Sequence, residues 1–125
     1  MSGSSYEESV KALAAARKAL DEQEGFRFGN TKLENEFCEL DLYTASERLI
    51  ALDIALSAIR PEDRCGPNPP GHISTRPYQG RPLYAFTWKS QEFGMEMYLK
   101  FCLTGTTGTE HLVLYSFHKN HKDRS

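Results

Sequence analysis

Two different spacings of apolar residues divide the chain. Up to about residue 60 they recur at three and four. "SSYEESVKALAAARKALDEQEG" places Val10, Leu13, Ala14 and Leu20 near one stripe. Ser5 and Glu8 stand in capping-box spacing before it, and Gly25 is positioned to stop the helix. "NTKLENEFCEL" predicts a second, shorter helix with Asn30 as cap and Leu33, Phe37 and Leu40 on one face. "TASERLIALDIALSAIR" predicts the most buried helix. Thr44 and Glu47 form its capping-box pair, Leu49, Leu52, Leu56 and Ile59 its stripe, with Ile50 and Ile54 widening it. Pro61 ends it, because the residue before a proline is pushed out of helical geometry.

After residue 83 the period falls to two. "LYAFTW" (83–88), "GMEMYLKFCL" (94–103) and "EHLVLYSFH" (110–118) read as strands, joined by "KSQEF" and "TGTTGT" as hairpin connections. Short connections imply an antiparallel meander. Alternation puts Met97, Leu99, Phe101 and Leu103 on one face of the middle strand and Glu96, Tyr98, Lys100 and Cys102 on the other. In the last strand it groups Leu112, Leu114, Ser116 and His118, opposite Val113, Tyr115 and Phe117. "FRF" at 26–28 reads as a short extended piece.

Helices followed by strands predict an α+β domain, with N-terminal helices packed on one face of a C-terminal antiparallel sheet of about three strands. The expected division is a helical part over 1–60, a Pro/Gly-rich loop over 61–82, the sheet over 83–118 and a basic tail over 119–125. The loop holds all six prolines, and a loop of that length usually carries function.

Composition adjusts this picture in a few places. A length of 125 residues and 39% hydrophobic content fit one domain with one core. The net charge of −2 is unevenly spread. Residues 1–70 carry 8 Lys/Arg against 13 Asp/Glu, and residues 71–125 carry 7 against 4 together with all four histidines. An anion-binding surface is therefore expected in the second half. Cys38, Cys65 and Cys102 are odd in number and widely spaced, which indicates neither a disulfide framework nor a zinc ribbon. The start has no basic and apolar leader pattern, and no apolar run reaches the ~18 residues of a membrane span. These features predict a cytoplasmic protein with no membrane partner.

The chemistry-bearing residues are few. Tyr98 and Lys100 project from one side of the middle strand, where a phenol and an ammonium can bind a phosphate or move a proton. Polar residues on a solvent-facing strand have the same pattern without any such role. His118 ends the last strand, and imidazole titrates near neutrality. His118 and His121 form HxxH, but no third ligand accompanies them, so neither a metal nor a cofactor is expected. Lys119, Lys122 and Arg124 make the tail basic, a weak signal for nucleic-acid backbone. Trp88, beside Lys89, reads as core or as a stacking platform. No phosphate-cradling glycine loop or metalloprotease motif is present.

Read in order, several stretches resemble one family. "LDLYTASERLIALDIALSAIRPEDRCGPNP" is similar to the apolar helix and following GP-rich turn of MqsR-type toxins, "MYLKF" to their Tyr-Leu/Ile-Lys strand, and "LVLYSFH" to their last strand. The resemblance covers most of the chain from about residue 40. It implies a RelE-like fold and a metal-independent mRNA endonuclease, the toxin of a toxin–antitoxin pair, in which the ribose 2′-OH attacks the adjacent phosphate. It matches Tyr98 to the family's functional tyrosine, His118 to its strand-end Lys or His, and Lys100 to its strand lysine. Either Arg64 or Cys65 falls at the place of the lysine before the turn.

On this reading His118 is the general acid/base and Tyr98 its proton-donating or phosphate-binding partner. Lys100, Arg64, Lys89 and Lys119 bind RNA phosphate, and the RNA lies across the open sheet face near the Pro-rich loop. The implied partners are mRNA, a cognate antitoxin and the ribosome. The alternative is a catalytically degenerate interaction module of the same fold that binds a protein partner through the sheet edge or the acidic helices. It is motivated by "DRC" in place of the family's aromatic–lysine segment and by a pI of about 6.1.

Overall fold

The computed structural model describes residues 2–22, 25–66, 71–74, 76–106 and 109–120. The architecture is α+β. Three helices, α1 (Ser2–Glu22), α2 (Leu33–Glu39) and α3 (Ala45–Ala58), accompany strands β1 (Arg27–Phe28), β2 (Arg64–Cys65), β3 (Tyr84–Ser90), β4 (Met95–Thr104) and β5 (His111–Lys119). The sheet has five strands in the order β1-β5-β4-β3-β2. β1 runs parallel to β5, and the other pairings are antiparallel. The expected three-stranded meander is therefore the centre of a larger mixed sheet. Of its two edge strands, two residues long each, β1 falls within the "FRF" segment expected to be extended, and β2 comes from the region expected as loop. Strands this short carry too little periodicity to show from sequence that they pair into the sheet.

The helices follow their capping chemistry where it is strong. Thr44 Oγ1 accepts from Glu47 N–H at 3.1 Å, and Glu47 Oε1 accepts from Thr44 N–H at 3.0 Å, the reciprocal box the sequence predicted. Two other caps differ. α1 begins at Ser2, so Ser5 lies inside the helix. Asn30 Oδ1 accepts from Lys32 N–H at 2.9 Å in a turn that precedes α2, whose cap is Lys32. On α1 the buried line is Ser9, Leu13, Ala16 and Leu20, while Val10 is 40% exposed. Alanine packs closely without announcing itself in an apolar pattern. On α3, Leu52, Leu56 and Ile59 are buried with Ala51 and Ala55, but Ile50 is 60% and Ile54 43% exposed. The buried stripe is narrower than predicted because small residues complete it.

Two arginines tie the helical layer together. Arg17 Nη1 donates to Leu56 O at 2.9 Å, satisfying a last-turn carbonyl of α3. Arg48 forks onto Glu34 with bonds of 3.0 and 2.9 Å, donates through Nε to Leu42 O, and lies 4.7 Å over the Phe37 ring. Beneath them Phe37, Phe86, Phe101 and Phe117 are fully buried between helices and sheet. Each such burial contributes about 1.5–3 kcal/mol.

β5 breaks its own alternation. Lys100 pairs with Ser116 and Phe101 with Leu114, so Tyr115 is an extra residue in a bulge. Leu112, Leu114 and Phe117 therefore all reach the helix-side core. Phe117 packs there against Phe37, Trp88 and Phe93 with ring centroids 5.9, 6.2 and 6.0 Å apart. The grouping of His118 with Leu112 and Leu114, opposite Phe117, is corrected by this bulge. A strict alternation would have buried an imidazole and exposed a phenyl ring.

Candidate functional site

The face of the sheet away from the helices carries the candidate site. In an antiparallel pair, directly opposed residues share a face. Thr87 opposes Tyr98, and Tyr98 opposes His118, so these three form one row across β3, β4 and β5. The next row is Cys65, Ala85, Lys100 and Ser116. On the other side Lys89 opposes Glu96, whose Oε1 accepts from Asn120 Nδ2 at 3.0 Å.

Tyr98 and His118 are in contact. Their ring centroids lie 5.2 Å apart with planes inclined by 29°. His118 Nδ1 is 2.7 Å from Lys119 O. A carbonyl only accepts, so Nδ1 carries the hydrogen and Nε2 of the neutral ring is the basic nitrogen. Burial, and secondarily the nearby Cys65, hold the Tyr98 phenol above its ordinary pKa. It is therefore protonated at neutral pH and available as a donor. Just past the bulge, Glu36 Oε1 accepts from Phe117 N–H at 2.9 Å. β1 pairs only with Val113 and Leu114, so this carboxylate from α2 takes over the outer edge of β5 beside His118.

The loop shapes the other end of this face. Ile73 is 6% exposed and forms a small cluster with Cys102 and Val113, against which Tyr78, Leu83 and Tyr115 pack. The segment folds back on itself through Ile73 N–H to Arg81 O, Gly80 N–H to Ile73 O and Leu83 N–H to Gly71 O. The region expected as loop thus contains a 3-10 turn (Pro61–Asp63), β2 and a covering flap.

Tyr98, His118, Lys100 and Lys89 share this face. Arg64 and Lys119 do not join them. Arg64 opposes Phe86, and Lys119 opposes Met97, both of which belong to the helix-side core. Cys65 takes the open-face position instead. Lys119 belongs to β5 rather than to a tail. His121, Lys122 and Arg124 lie outside the described residues. Trp88 is 5% exposed and belongs to the core. Thr87 joins the row without having been singled out; its alternation with Ala85 and Lys89 was the available signal.

Among the described residues, no group of three or more His, Cys, Asp or Glu is placed to hold a metal ion, and no helix is long and apolar enough to cross a membrane. No protein-family model, curated protein or solved structure matches the chain.

Proposed function

We propose that the protein is a metal-independent endoribonuclease that cleaves RNA by attack of a ribose 2′-OH on the adjacent phosphate. The observation that carries the reading is the contact of Tyr98 with His118, with Lys100 on the same open face. His118 Nε2 takes the 2′-OH proton as the O2′–P bond forms. The P–O5′ bond breaks, and the Tyr98 hydroxyl gives its proton to the departing 5′-oxygen, an alkoxide far more basic than a phenolate. The products are a 2′,3′-cyclic phosphate and a 5′-OH. Proton transfer from imidazolium to phenolate through solvent restores both groups. Lys100, with Lys89 along the same face, offsets the charge that grows on the phosphorane.

The finer reading is an MqsR-like, RelE-like toxin acting on mRNA, with a cognate antitoxin and the ribosome as partners. It is supported by the order of "PEDRCGPNP", "MYLKF" and "SFH" along the chain. Purified protein incubated with RNA in EDTA tests the activity. Cyclic-phosphate products that disappear in His118→Ala are expected. Intact RNA across varied sequences, with and without ribosomes, overturns the reading.

One observation favours a second reading, a non-catalytic module binding a protein partner. Beside Tyr98 the open face carries the thiol of Cys65, while Arg64 is on the helix side. Growth arrest on expression that is relieved by Tyr98→Phe or His118→Ala rules this reading out.

A further inference from the structure

The open face has a second group of aromatic residues. Tyr115, the extra residue of the β5 bulge, and Tyr78, on the covering flap, both pack on the Ile73–Cys102–Val113 cluster and remain half-buried. Two features hold them in place. A Cβ on Gly29 would lie 2.5 Å from the Tyr115 ring, so that ring rests directly against β1's outgoing backbone. Tyr78 sits within the flap's hydrogen-bonded fold, where Arg81 N–H donates to Tyr78 O at 3.2 Å. A satellite cluster under a loop needs only aliphatic side chains. The two phenols at its margin add rings that stay half-buried, in partial contact with solvent.

Arg76 is exposed two residues before Tyr78, and Lys100 stands between this group and the Tyr98–His118 pair. From Tyr98 to Cys102 the strand advances about 13 Å. The two ends of the face would therefore engage different nucleotides of one strand. Fixed aromatic rings alternating with cations along an open surface are the arrangement that binds single-stranded nucleic acid, with bases stacked on rings and phosphates on ammonium or guanidinium groups.

We infer that Tyr78 and Tyr115 form a base-stacking subsite for single-stranded RNA, with Arg76 and Lys100 as its phosphate contacts. This rests on the reading of the Tyr98–His118 site as one that acts on RNA. It adds the substrate class, an unpaired strand held at a nucleotide away from the scissile phosphate, and a role for the flap.

The test is fluorescence anisotropy of the full chain with a labelled, fully 2′-O-methylated single-stranded RNA, which has no 2′-OH to attack. Tyr78→Leu keeps an apolar contact with Ile73 but removes the stack, and is expected to weaken binding by about tenfold. Tyr78→Phe keeps the ring and is expected to bind like the parent. A duplex of the same sequence should bind more weakly than the single strand. If Tyr78→Leu, with its melting temperature retained, binds like the parent, the subsite is overturned, even if unmodified RNA is still cleaved. If binding depends on Tyr78 but unmodified RNA is never cleaved, the subsite stands and the endonuclease reading falls. No binding to any RNA overturns both.

Discussion

The two faces of the sheet solve different problems with the same strands. The helix side is closed by Phe37, Phe86, Phe101 and Phe117 with buried aliphatics such as Leu52, Leu56 and Leu99. The opposite side is closed only at one end, by the flap over Cys102 and Val113. At the other end it leaves Thr87, Tyr98, His118 and Lys100 in reach of solvent. Apolar burial is concentrated on the first face and the candidate site on the second. The division keeps these polar groups on rigid strands and only partly withdrawn from solvent.

The largest effect that would break this contrast is expected on the helix side. Phe101, stacked on Phe86 with centroids 6.0 Å apart, should cost about 3–5 kcal/mol when replaced by alanine, read from urea unfolding. On the open side His118→Ala, which removes the ring contact with Tyr98, should cost about 0.5–1.5 kcal/mol. If the proposed endonuclease reading holds, the same substitution lowers RNA cleavage by about 100- to 10,000-fold. A His118→Ala protein that unfolds as readily as Phe101→Ala would erase the distinction between the faces.

The flap sets a pH dependence. Burial pushes the Cys102 thiol from its ordinary value near 9 up to about 11. In the unfolded chain the thiol ionises first, so its contribution to stability is complete below pH 9 and is lost as pH rises toward 11. Urea midpoints measured on either side of that window should fall for the parent, and fall less for Cys102→Ala.

Smaller effects belong to the helical layer. Thr44→Ala removes one half of the α3 cap and should cost about 1 kcal/mol by thermal melting. Ile50→Ser, on the 60% exposed outer side of the same helix, should stay within about 0.5 kcal/mol.

β4 and β5 show why one part of the site was legible and another was not. Along β4 burial alternates with a period of two from Glu96 to Phe101. Met97, Leu99 and Phe101 are buried on the helix side, and Tyr98 and Lys100 stand opposite, as the sequence indicates. Along β5 the same rule fails at Tyr115, because a bulge is decided by the pairing partner and by where Phe117 can be buried. Arg64 was similarly ambiguous. A two-residue strand has no period of its own, and only its pairing with Phe86 assigns it a face.

The sequence by itself determined the α+β class, the Thr44–Glu47 cap, the identity of the three main strands and the facing of Tyr98 and Lys100. Each of these follows from local chemistry or from a period long enough to read. Only the tertiary structure decided that the sheet has five strands, that β1 joins in parallel, and that Ile73, Tyr78 and Leu83 pack over Cys102 and Val113. It also brought His118 onto Tyr98 and turned Arg64 away. Those outcomes depend on contacts between residues distant in sequence, where burial of a ring such as Phe117 outweighs the local alternation of the strand that carries it.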